Sequence, residues 1–196
     1  MVMEKINDAV IINFWDWFKK KVVDIENDPN DKNLISQLDE KVLSLGDFEW
    51  EYGPSDFKEW YFCISPSFQK ELKPIADQII SYAPELKNWE FRSSRPPKKW
   101  TGTWNIYDEN GNSISIDSEK WQVLVFKFPD GTYDLDIKID TFFHSEELMY
   151  SAVNILIANI VGEEKYMNLI ENIKIVDSFE ENEAKTVLAK DLDKII

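Results

Sequence analysis

The sequence predicts an α+β fold, with a mixed or mainly antiparallel sheet and helices packed on one of its faces. Three observations predict it. Apolar residues recur at helical spacing in several separate segments, and period-two runs stand between those segments. The order strand, turn, strand, amphipathic helix, strand also occurs twice, over residues 47–93 and 121–177. The residues of the two stretches do not align, so a duplicated ββαβ unit would be one of architecture. At 196 residues the expectation is one domain with one core. It comprises a helical pair (1–46), the first ββαβ unit (47–93), a connecting loop and hairpin (94–120), the second ββαβ unit (121–177) and a C-terminal helix (178–196).

The first helix follows from Ile11, Trp15, Phe18, Val22 and Ile25, which form one face that Val10, Phe14 and Trp17 widen. Asp28 as N-cap and Pro29 at the first helical position predict a second helix, which Leu34, Leu38, Val42 and Leu45 carry to Gly46. From Asp47 the period is two: Phe48, Trp50 and Tyr52 face the core, Asp47, Glu49 and Glu51 face away. The run EWYFCIS (59–65) is apolar on both faces and reads as an interior strand. Ser65 and Pro66 predict the start of a helix whose stripe is Phe68, Leu72, Ile75, Ile79 and Tyr82, and Trp89, Phe91 and Ser93 begin the next strand. Asn110-Gly111 predicts a tight hairpin turn. A clearer hairpin joins WQVLVFKF (121–128) to TYDLDIKI (132–139) through Pro129-Asp130-Gly131. Ser145 caps a helix over 148–161, a shorter helix covers 163–170, NIKIVD (172–177) is a strand, and Ser178 with Glu181 forms a capping box for the last helix.

Composition narrows the class. Lysines and arginines number 22 against 37 aspartates and glutamates, a formal charge of -15, which repels nucleic acid and anionic membranes and favours a basic partner. A single cysteine, Cys63, excludes a disulfide framework and points to a reducing, cytoplasmic setting. The N-terminus lacks a secretory pattern, and the apolar run 148–162 is too short for a membrane span and is interrupted by Asn154 and Asn159.

The motifs of common enzyme chemistry are missing. There is no phosphate loop, dinucleotide fingerprint, serine elbow or HExxH. His144, the one histidine, stands beside a helix cap as a candidate base, and Cys63 lies in an interior strand where thiols are usually inert. Asp134, Asp136 and Asp140 share a strand face at a spacing that suits a cation, but Leu135, Ile137 and Ile139 opposite them make a solvated face the simpler reading. DENGNSISID (108–117) has its glycine at the wrong place for an EF-hand loop. No cofactor or metal is expected.

Two places remain as candidate sites. The stretch WEFRSSRPPKKWTGTW (89–104) holds both arginines of the chain, and no acid occurs between Phe91 and Tyr107. Arg92 and Arg95 can serve as a bidentate anion clamp with Trp100 or Trp104 as a stacking wall, or can neutralise Glu49, Glu51 or Asp134 across the sheet. The second place is acidic: Asp47, Glu49, Glu51, Asp134 and Asp136 should project from the uncovered sheet face and can steer a basic protein.

The segment ISPSFQKELKPIADQIISYAPELKNWEFRSSRPP (64–97), with NFWDWFKKKVVDI near the start, resembles an uncharacterised bacterial family of small acidic α/β proteins. The matching residues are Ile64-Ser65, Ala83-Pro84, Leu86, Trp89, Phe91 and Arg95-Pro96. The resemblance covers the first half of the chain, is one of layout in the second, and implies no activity, cofactor or catalytic residue. The expectation is a non-enzymatic binding protein, immunity-like or adaptor in kind, for a basic protein partner. The alternative is an enzyme or sensor for a small anion held by Arg92 and Arg95.

Overall fold

In the computed structural model, which describes residues 6–99, 102–179 and 185–196, the chain divides into two compact units, residues 1–95 and 96–196. Each has its own apolar cluster, where the composition had suggested one core. The fold class is α+β, with two N-terminal helices and both antiparallel and parallel strand pairs.

The first unit begins with α1 (Asp8–Asn27), whose N-cap Asn7 accepts a hydrogen bond from the Ala9 N–H at 2.9 Å. Its predicted stripe is buried at Ile11, Phe14, Trp15, Phe18 and Ile25. The second helix, α2 (Lys32–Leu43), starts one turn later than Asp28 and Pro29 suggest. Asp28 instead accepts from the Asn30 N–H in a turn, and the cap is Asp31, whose carboxylate accepts from the N–H groups of Asn33 and Leu34. Gly46, at φ +139°, lets the chain leave α2, and a Cβ there would meet the Phe48 ring at 3.1 Å.

Strands β1 (Glu49–Pro54) and β2 (Trp60–Ser65) form an antiparallel hairpin, with Glu51 opposite Cys63. The helix expected from Ser65 and Pro66 starts later. Ser65 is still in β2, Ser67 and Phe68 adopt positive φ, a 3-10 turn covers Lys70–Leu72, and α3 runs over Lys73–Ser81. Pro74 explains the shift: inside a helix from residue 66 it would break the hydrogen-bond ladder, whereas in the first turn of α3 its missing N–H costs nothing. The chain returns in β3 (Trp89–Arg92), parallel to β2. The sheet order β1-β2-β3 puts the interior-type strand in the middle. All three helices bury their faces on one side of it, against Phe48, Phe62, Ile64 and Trp89.

In the second unit β4 (Thr103–Tyr107) and β5 (Ser113–Asp117) form a separate hairpin. Its turn is held by Asp108, whose carboxylate accepts from the N–H groups of Asn110 and Asn112, with Gly111 at φ +79°. The predicted hairpin is β6 (Gln122–Lys127) and β7 (Tyr133–Lys138), antiparallel, and α4 (Glu146–Val161) starts where Ser145 accepts from the Leu148 N–H. After α5 (Glu163–Leu169), β8 (Ile170–Ile175) pairs parallel to β7. Residues 49–92 and 122–175 thus share one topology: a hairpin, a helical crossover, and a parallel strand against the hairpin's second strand.

The C-terminal helix over 178–196 is corrected. Val187–Leu188 is a short strand, β9, on the free edge of β6, and Ala189–Lys194 is a 3-10 helix that buries Ala189 and Leu192. Pairing of Val187 with Val123 outweighs local helical periodicity. Glu181 of the expected capping box lies outside the described residues.

Candidate functional site

The two arginines belong to the side of the first sheet that faces away from its helices. Cys63 on β2 stands between Glu51 on β1 and Arg92 on β3, so alternation places all three on one face. The Arg92 guanidinium lies 5.6 Å from the centre of the Tyr61 ring and donates to Glu90 at 2.5 Å. Tyr61 donates to Glu51 at 2.7 Å, and Ser55 donates to Glu90 at 2.6 Å. Arg95, just past β3, hydrogen-bonds the Glu49 carboxylate and lies 3.9 Å from that of Glu51. Burial pushes the Glu90 carboxyl up. Hydrogen bonds from Arg92 and Ser55, with the charges of Arg92 and Lys58, outweigh it and hold the group below its ordinary value. Tyr61 moves the other way: burial first, then the bond to Glu51, raises its hydroxyl well above the usual tyrosine range.

Arg92 and Arg95 therefore sit among Glu49, Glu51 and Glu90, and an anion entering there would meet three carboxylates. Of the two stacking candidates only Trp104 is among the described residues. Trp104 is on β4 in the second unit, with its ring 5.9 Å from Trp121 in that unit's core, and Trp100 lies outside the described residues. Lys98, also in the second unit, is anchored through its N–H to the Asn159 carbonyl of α4 at 2.7 Å. The basic stretch read in the sequence is shared between the two units.

The acidic candidates are divided in the same way. Asp47, Glu49 and Glu51 belong to the first unit, Asp134 and Asp136 to the second. Asp134 accepts from the Asn172 side chain at 2.9 Å, and Asp136 lies in register between Leu124 and Lys174. Leu124 is buried, so this face mixes apolar, acidic and basic groups. Asp47 is exposed in the segment leading into β1.

A third place emerges from the second unit. The turn after β4 and the first turns of α4 enclose a cleft of about 570 Å³, with Tyr107, Asp108 and Glu109 on one side and His144, Glu147 and Leu148 on the other. The Asp108 carboxyl is held below its ordinary value, first by the Asn112 side chain, then by the backbone N–H groups of Asn112 and Asn110, with the charge of His144 contributing. It is ionised and committed to the turn. The side-chain carboxylates of Glu109 and Glu147 make no hydrogen bond or ion pair among the described residues. Among the described residues neither lysine nor arginine lines the cleft. His144 packs edge-on against Phe142, ring centres 5.3 Å apart.

The sequence singled out the Asn-Gly turn and the Ser145 cap as local structure, and of the cleft's residues named only His144, beside that cap, as a candidate base. Some 35 residues separate turn and cap, and their meeting depends on how β4 and β5 lie on the core beneath α4. Among the described residues no group of three or more histidines, cysteines, aspartates or glutamates is placed to hold a metal ion, and no helix is long and apolar enough to cross a membrane.

The fold and these surfaces define an acidic α+β chain built on two ββαβ units. No protein-family model, curated protein or solved structure matches it.

Proposed function

We propose that the chain is a non-enzymatic binding protein, cytoplasmic and of bacterial type, that engages a basic protein partner as an immunity-like or adaptor protein does. The observation that carries this reading is the location of uncompensated carboxylates. Residues 96–196 hold 19 carboxylates against 10 lysines, and within them the 107–151 cleft gathers acids with no lysine or arginine among the described residues of its lining. The glutamates of the first sheet have Arg92 and Arg95 for partners, so the cleft is the stronger place for an incoming cation. Family membership as read from residues 64–97 belongs to the same proposal.

The test is capture from the source cell's lysate by tagged protein at low salt, with release at high salt and identification by mass spectrometry. A stoichiometric basic protein in the eluate is expected, bound equally by bait carrying Arg92→Ala with Arg95→Ala. Bait that is folded and brings down no basic protein would overturn the reading. Loss of the partner on removing both arginines would shift the site to the arginine cluster.

A further inference from the structure

The cleft of the second unit also suggests which part of a basic partner it takes. We infer that it receives an arginine side chain, an inference that rests on the binding reading above. Its volume, about 570 Å³, lies within the range of natural ligand sites. The carboxylates of Glu109 and Glu147 have no partner among the described residues, and Asp108 adds a third negative charge that the turn holds ionised. Such a site repels phosphates and carboxylates and attracts a cation.

Arginine rather than lysine follows from the aromatic groups. Tyr107 is 67% exposed at the cleft and Phe142, against His144, is 79% exposed. Large aromatic surface left in water beside a charged cleft is the arrangement a planar guanidinium uses: it stacks on a ring face while its fork of N–H groups meets a carboxylate. An ammonium makes neither contact as well, because it is compact, more strongly hydrated and lacks the planar fork. A bare divalent cation is disfavoured by the lack of a three-ligand cluster among the described residues.

The experiment uses the full isotope-labelled chain, titrated with acetyl-Gly-Arg-Gly-amide and followed by NMR. Saturable shifts of the Tyr107 and His144 ring signals are expected. The same peptide with citrulline, which keeps the shape and loses the charge, should produce none, and the lysine peptide should bind several-fold more weakly. Glu109→Gln with Glu147→Gln should weaken binding at least tenfold, and Tyr107→Ala several-fold, while the amide spectrum away from the cleft stays unchanged.

Shifts absent at the cleft, equal for arginine and citrulline, or unaltered in the double glutamate variant would overturn the inference. Failure here is distinguishable from failure of the binding reading. A basic partner that is captured and still held by the Glu109→Gln, Glu147→Gln chain overturns the arginine cleft and leaves the binding reading standing. Saturable peptide binding with no captured protein does the reverse.

Discussion

On the helix-covered side of the first sheet stand Trp50, Tyr52, Phe62, Trp89 and Phe91; on that of the second stand Val123, Leu135, Ile137 and Ile173. The topology is the same, and the two cores are filled by different chemistry. In the first, Phe18 lies edge-on to Trp89 at 5.3 Å and to Phe91 at 5.7 Å, and Trp60 stacks on Trp89 at 5.6 Å. The larger rings also bring polar handles that tie elements together. Trp15 donates to the Ile79 carbonyl at 2.8 Å, Trp50 to Asp39 at 2.7 Å, Trp89 to Glu26 at 2.7 Å, and Tyr52 to the Pro29 carbonyl at 2.5 Å. In the second, α4 lays Ala152, Val153, Leu156, Ile157 and Ile160 on the sheet, and aliphatic packing does most of the work. A ββαβ frame thus accepts either filling, provided the helix face and the strand alternation agree.

Core truncation in each unit is the strongest way to break this comparison. Trp89→Ala removes a fully buried ring and its bond to Glu26, and should cost about 4 kcal/mol in urea unfolding, against about 3 kcal/mol for Leu156→Ala in the aliphatic core. An equal or larger loss at Leu156 would show that the rings contribute no more than their apolar volume. A sharper version isolates a handle. Trp15→Phe keeps most of the packing and loses the bond to Ile79, so about 1 kcal/mol is expected from the same measurement. No loss would assign the whole effect to the ring.

The smallest expected effect concerns the outer faces. Glu90 has a folded-state pKa below its ordinary value of 4.5, so its contribution to stability is present above that value and is lost as pH falls through the folded value. Glu90→Gln should therefore flatten the acid limb of stability below about pH 4.5, followed by urea midpoints across pH. An unchanged acid limb would mean that the Arg92 and Ser55 bonds do not select the charged form.

Legibility followed the range of the forces involved. Inward and outward faces of β1 and β7 were readable, because alternation is a property of neighbours along one strand. Starts were less secure: Asp28 and Asp31 are both good caps, and only the turn that uses Asp28 assigns the role to Asp31. The arginines stood out by composition, but their partners Glu49 and Glu51 are more than 40 residues away and were one option among several. The cleft was not legible as a site, since Glu109 and Glu147 look like an ordinary turn acid and an ordinary first-turn helix acid until the elements meet.

By itself the sequence determined the α+β class, the acidic balance, the repeated strand-helix order and most core-facing residues, since periodicity and charge are carried by the chain before it folds. Tertiary structure alone decided that there are two cores, that a short strand and a 3-10 helix rather than one α-helix occupy residues 187–194, and which carboxylates find partners. Those outcomes depend on contacts between residues far apart in sequence, where packing and pairing geometry, not local preference, set the energy.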